Sequence, residues 1–241
     1  VALVAMRNPS VQDVYEPGST GKVMTLAAAL EEKKVTPETV ITVPYALKRS
    51  TKVFHDHEKH ATQYLTTAGV LAVSSNTGSI QIGELLSHDK FYDYLSKFGV
   101  GSKTGSGLPG ESRGILPKVA DWSGTSAPTM AFGQGYSLTA MQATSIFATI
   151  ANDGVRVSPT VIAGTRDSSG NFTPAPGRTS QRVISAETAQ TMRLMMESVV
   201  SGNGTAPSAA IAGYRVAGKT GTAQRIDDTC GCYRGYTASF I

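Results

Sequence analysis

Residues 213–224, "GYRVAGKTGTAQ", hold the stretch on which the fold turns. Residues 213–220 match the phosphate-binding loop pattern G-x-x-x-x-G-K-[ST] at every position. A phosphate loop follows a strand and opens a helix whose N-terminus holds the anion. Here residues 214–217 are themselves β-prone, and Lys219 is followed by Thr-Gly-Thr, a poor helix start. The stretch also lies about nine-tenths of the way along the 241 residues, which leaves no room for the α/β units that normally follow. The better reading is a strand. Residues 235–241, "GYTASFI", are its hairpin partner across a turn-rich connection.

Working outward, 40% hydrophobic and 17% charged residues describe an ordinary globular chain and exclude a disordered or fibrous one. The net charge of +4 is scattered, with no run of four basic residues, so nucleic acid is not an expected partner. No apolar stretch approaches the roughly 20 residues of a membrane span, so this piece is expected to be water-soluble. The two cysteines, Cys230 and Cys232, make neither a disulfide framework nor a four-ligand zinc site. Gly231 between them permits a cramped bridge, and the sequence leaves oxidised and reduced pairs equally open.

Helix and strand signals are mixed along the chain. Residues 1–6, "VALVAM", read as a short buried strand. "YEPGSTGKVMTLAAALEEKK" reads as a turn and then a helix, with Ser19 or Thr20 available as the cap. "TTAGVLAVSSNTGSIQIGELL" is helical on both sides of a polar break at residues 74–76. "DKFYDYLSKFG" is a helix stopped by Gly99, "SLTAMQATSIFATIANDG" ends at Asn152-Asp153-Gly154, and "SAETAQTMRLMMESVV" is a further helix. "GNFTPAPGRTSQ" reads as an exposed loop.

Three short patterns carry chemistry, and each occurs more than once. Ser-x-x-Lys stands at Ser19 to Lys22 and at Ser87 to Lys90; Ser-x-Asn stands at Ser74 to Asn76, again from Ser169 and again from Ser201; Lys-Thr-Gly stands at Lys219 and at Lys103. At a helix start, Ser-x-x-Lys sets both side chains on one face, one turn apart. A lysine desolvated by burial can act as the neutral base that a serine hydroxyl needs, and the helix N-terminus favours a developing oxyanion. Ser19 and Lys22 fit, because an alanine-rich helix follows them, whereas Ser87 reads as an ordinary cap.

"EPGSTGK", "LTTAGVLAVSSNTG", "FGQGYSLTAMQATSIFATIANDG" and "VAGKTGTAQ", in that order over almost the whole chain, resemble the transpeptidase domain of class B penicillin-binding proteins. The likeness is greatest to the septal, cell-division enzymes of actinobacteria. The resemblance implies an α+β fold of the penicillin-binding protein and serine β-lactamase type. That fold is an antiparallel sheet flanked by helices, beside an all-helical subdomain, here roughly residues 34–150 of a single domain spanning 1–241. It implies Ser19 as nucleophile toward the D-Ala-D-Ala carbonyl of a peptidoglycan stem peptide, Lys22 as its base and Ser74 as proton relay. Asn76 would bond the substrate amide and orient Lys22, and Lys219 would supply positive potential. Thr220 and Thr222 would hold the substrate carboxylate, Gly221 would keep the strand edge bare, and the backbone N–H groups of Ser19 and Thr222 would form the oxyanion hole. The expected ligands are D-Ala-D-Ala donors, amine acceptors and β-lactam antibiotics, with no metal and no cofactor. The expected partners are a membrane glycosyltransferase and divisome proteins. The expected place is the extracytoplasmic face of the cell membrane, with an N-terminal transmembrane anchor preceding Val1.

The sequence departs from that family at Gly21, where a bulky, often aromatic residue is usual, and this either loosens the first helical turn or makes room beneath it. The segment before Ser19 is shorter than the family's, and a strand and closing helix are expected beyond Ile241. His55, Asp56, His57 and His60 suggest a metal site at first sight, but no further ligand is obvious, and in the family this stretch leads into the helix before Ser-x-Asn. Glu111 stands about where a β-lactamase carries its deacylating glutamate, without that enzyme's flanking pattern. Trp122 and Tyr136 are candidates for the cleft or for packing. A serine β-lactamase and a non-catalytic β-lactam sensor are the alternative functions.

Overall fold

The structure, a computed structural model, describes residues 7–175, 177–227 and 229–241. The expected strand at residues 1–6 lies outside the described residues. A short helix α1 (Pro9–Gln12) leads through a 3-10 turn (Gly18–Gly21) directly into α2 (Lys22–Glu31). Two antiparallel pairs follow: β1 (Val40–Val43) with β4 (Gln63–Thr66), and β2 (Ala46–Arg49) with β3 (Lys52–His55). The sequence alone does not reveal these four-residue strands, because each is too short to establish a period of two. Next come α3 (Thr67–Ala72), α4 (Asn76–Gly83), α5 (His88–Lys97), α6 (Ser126–Ala131) and α7 (Ala140–Ala151).

Short strands β5 (Val155–Val157) and β8 (Ser180–Arg182) pair with each other, as do β6 (Gly164–Arg166) and β7 (Phe172–Pro174). The expected exposed loop at residues 170–181 is largely exposed among its described residues but contributes to both pairs. Helix α8 (Ala186–Glu197) precedes the closing hairpin of β9 (Thr220–Asp227) and β10 (Cys232–Phe240). Cys230 and Cys232 are bridged at its tip, which decides the question the sequence left open. Among the described residues no helix is long and apolar enough to cross a membrane.

Local chemistry explains most of these ends. Ser87 caps α5 through Lys90 N, Ser185 caps α8, and Thr139 with Gln142 forms a complete capping box on α7. Gly99 (φ 103°) and Gly154 (φ 79°) take the left-handed conformation that stops the helices before them. The core gathers around α2, where Val23, Met24, Leu26, Ala27, Ala28 and Ala29 are all at most 1% exposed. A helix apolar on every side is a helix surrounded by protein, and α2 packs against α4, α5 and α8. Its first residue, Lys22, is therefore buried as well.

The capping expectation at the start of α2 fails. Neither Ser19 nor Thr20 caps it: Gly21 holds the cap position in helical conformation with no side-chain bond. The 3-10 turn flows into the helix, and the Lys22 N–H donates to the Ser19 and Thr20 carbonyls. Thr20 Oγ1 donates instead to Pro17 O. The hydroxyl of Ser19 is thereby released from backbone duty.

Candidate active site

Four polar atoms surround the Lys22 amine. Its Nζ lies 2.9 Å from Ser19 Oγ, 2.8 Å from Asn76 Oδ1, 2.5 Å from Ser74 O and 3.2 Å from Ser74 Oγ. Asn76 Oδ1 and Ser74 O can only accept, so they claim N–H donors of the amine. The hydroxyls can donate, so the lone pair of a neutral Lys22 is left for Ser19. Burial and the nearby Lys219 hold Lys22 well below the ordinary lysine range, against the pull of Asp56.

Ser74 reaches this position through strain. It is a non-glycine residue with φ 62°, in the break between α3 and α4, and it turns both its carbonyl and its hydroxyl toward Lys22. Such a conformation costs about 1–2 kcal/mol and persists only where surroundings enforce it. Asn76 is fixed from its other side, since its Nδ2 donates to His55 O at 2.9 Å.

Lys219 completes the cluster. Its Nζ donates to Ser74 Oγ at 2.9 Å, and to Thr220 O and Thr220 Oγ1 at 3.1 and 3.2 Å. Ser74 Oγ thus bridges two lysines 0% exposed. Burial brings Lys219 down to about 7. Backbone bonds in both directions with Ile241 prolong the β9 and β10 ladder to Lys219. Ser19, Lys22, Ser74, Asn76, Lys219 and Thr220 are brought together, while Thr222 is exposed on β9.

Gly221 also has a packing reason that the sequence does not show. A Cβ there would lie 2.4 Å from Ser239 Oγ, 2.9 Å from Thr20 Cγ2 and 3.0 Å from Pro17 O. The glycine thus lets β9 lie against the turn that carries Ser19.

Of the two readings of Gly21, the structure favours room. A Cβ at Gly21 would stand 2.2 Å from Tyr136 Oη and 2.8 Å from Gly133 Cα. Tyr136 is 2% exposed, and its buried hydroxyl has no hydrogen-bond partner among the described residues. Gly21→Ala is accordingly expected to cost about 1–3 kcal/mol through overpacking. Tyr136→Phe is expected to be neutral or stabilising alone, because it removes an unpaired buried hydroxyl, and to recover part of the alanine's cost. Denaturant melts of the two single variants and the double variant check this.

The remaining candidates are otherwise engaged. Glu111 is buried and accepts from Thr104 N at 2.7 Å and from Thr104 Oγ1. Trp122 Nε1 donates to Pro117 O, and its ring packs on His88 and Phe91. Asp56, singled out in the sequence only as part of a histidine-rich string, bonds Ser75, Asn76, Thr77 and His60. No local pattern marks it.

The family model of the penicillin binding protein transpeptidase domain matches residues 2–241. The penicillin-binding protein PbpB of Mycolicibacterium smegmatis is 44% identical over 234 residues, which are 95% of this chain and 36% of that protein. The peptidoglycan D,D-transpeptidase FtsI of Escherichia coli K12 is 37% identical over 226 residues, 92% of this chain and 36% of that one. The crystal structure of penicillin binding protein 3 from Mycobacterium tuberculosis complexed with aztreonam superimposes with a TM-score of 0.94 at 41% identity, over 97% of this chain and 54% of that one. That likeness establishes the α+β fold. The chain spans about a third of the length of these curated relatives.

Proposed function

Because the chain belongs to the penicillin binding protein transpeptidase family, we propose that its site is that of a serine D,D-transpeptidase. It cross-links peptidoglycan stem peptides through an acyl-enzyme during septal wall synthesis and is blocked covalently by β-lactams. The observation that carries the reading is the fully buried Lys22, its Nζ 2.9 Å from a Ser19 hydroxyl that caps nothing. Further support comes from relatives named as peptidoglycan D,D-transpeptidases and from a related structure described as a complex with ampicillin.

In acylation, Ser19 Oγ attacks the carbonyl between the two D-alanines as its proton passes to neutral Lys22. The backbone N–H groups of Ser19 and Thr222 hold the oxyanion. Ser74, hydrogen-bonded to both lysines, hands its proton to the departing amine and takes the one held by Lys22 in its place, so that the C–N bond breaks, D-alanine leaves and Lys22 is neutral again. Lys219, Thr220 and Thr222 receive the terminal carboxylate, and Asn76 holds the substrate amide and Lys22. An amine from a neighbouring stem then attacks the ester, forms the new peptide bond and returns Ser19 to its hydroxyl. A β-lactam follows the first half only, since its ring opens without releasing a leaving group. The proposal sets the domain on the extracytoplasmic face of the cell membrane, with a membrane glycosyltransferase and division proteins as partners and no nucleic acid.

Intact-mass spectrometry after incubation with a labelled penicillin tests the reading. A single long-lived adduct is expected on the wild type and none on Ser19→Ala. An adduct that disappears as drug is consumed would make the protein a β-lactamase, and no wild-type adduct would overturn the reading.

A further inference from the structure

Asp56 follows β3, and its side chain is 9% exposed. It reaches forward in the chain to the first turn of α4. One oxygen accepts from the backbone N–H groups of Asn76 (2.5 Å) and Thr77 (2.9 Å), and the other accepts from Ser75 Oγ at 2.7 Å. Ser75 already caps this helix locally, through Gly78 N at 2.9 Å. The second, remote cap therefore adds more than helix initiation: it ties residues 75–77 to the segment from which His55 O holds the Asn76 amide at 2.9 Å. Residues 55 and 56 together thus decide where Asn76 Oδ1 points, and that atom lies 2.8 Å from Lys22 Nζ. They also fix the exit from the left-handed Ser74.

His60 faces Asp56 from the other side, with Nε2 3.1 Å from Asp56 Oδ2 and Nδ1 2.6 Å from Ala61 O. Both ring nitrogens face acceptors, and a neutral imidazole can donate to only one of them. The pair is therefore suited to an imidazolium, and the Ala61 carbonyl and Asp56 both push His60 above its ordinary value against desolvation. Tyr45 packs on the rings of both His55 and His60. Across the site, the charge of Asp56 favours the protonated form of Lys22, while burial and Lys219 oppose it.

We propose that Asp56 is a positioning residue of the acyl transfer: with His60 as its charge partner, it holds the turn of Ser74 and Asn76 in register with Lys22. The inference rests on the transpeptidase reading above. It is tested on the full chain by following the rate of penicillin acylation against pH for the wild type, Asp56→Asn and His60→Gln, beside thermal melts.

Asp56→Asn is expected to slow acylation about a hundredfold, the scale of a small misplacement of a reacting group, and to move the acid limb to lower pH. His60→Gln removes a cation that masks Asp56, so its acid limb is expected to move the opposite way, to higher pH. Wild-type rates in Asp56→Asn, or a slower Asp56→Asn with an unmoved acid limb, would overturn the proposal. Should Asp56→Asn fail to fold, an unmoved limb in His60→Gln overturns it and the upward shift supports it. A wild type that takes no label at Ser19 overturns the transpeptidase reading itself, whereas a labelled wild type with unmoved variants overturns only the role of Asp56.

Discussion

Lys22→Met is expected to slow acylation by a penicillin about a thousandfold, within the range that a positioned general base contributes. The geometry leaves no substitute. Ser19 Oγ has Lys22 Nζ at 2.9 Å, whereas Lys219 Nζ bonds Ser74 Oγ and the Thr220 oxygens. Lys22 can act near neutrality because its surroundings oppose its charge: burial first, then the repulsion of Lys219. Methionine of similar volume should keep the fold. It leaves Asn76 Oδ1 and Ser74 O without a donor, at about 1–3 kcal/mol each, but also removes a costly buried amine. Stopped-flow acylation and a thermal melt on the same sample separate the outcomes. A variant that melts like the wild type and still acylates at its rate would remove Lys22 from the base role.

Lys219→Met is expected to act on both chemistry and stability, with a pH signature in each. Acylation should fall about a hundredfold, the scale of a lost preorganised electrostatic contact. Because Lys219 helps to keep Lys22 neutral, its removal raises Lys22, and the acid limb moves to higher pH. The stability effect follows from burial, which lowers Lys219 from an ordinary 10.5 to about 7 in the folded chain. Between those values the unfolded chain holds a proton that the folded chain lacks, so stability rises with pH across the window and is lowest below about pH 7. The methionine variant should lose the share of that slope that Lys219 contributes, keeping the share of Lys22, and be the more stable protein near pH 7 by a few kcal/mol, in the range found when buried charges are replaced by apolar groups. Denaturant midpoints of both proteins at pH 6.5, 8 and 9.5 measure the difference, and parallel profiles would contradict it.

Residues close together in sequence determined a good deal here. The serine caps, the Thr139 and Gln142 box and the left-handed glycines end the helices where their local chemistry says they should. The poor helix start after Lys219 points away from a phosphate loop and to the hairpin, although its first strand begins only at Thr220 and residues 213–219 are not strand. The order of the Ser-x-x-Lys, Ser-x-Asn and Lys-Thr-Gly patterns picked one copy of each, and those copies converge in space. Such information is legible because capping bonds and turn preferences act over a few residues.

The state of the site was decided only by the tertiary structure. Ser19 is free of capping because a 3-10 turn feeds α2, and Gly21 is required by a tyrosine that arrives from residue 136. Lys22 meets Ser74 across 52 positions, and Lys219 meets it across 145. Asp56 carried no pattern at all, since its partners at residues 75–77 become neighbours only after the chain returns through β4 and α3. A lysine becomes a base by losing water, and that loss depends on the packing of several elements around it rather than on the residues beside it.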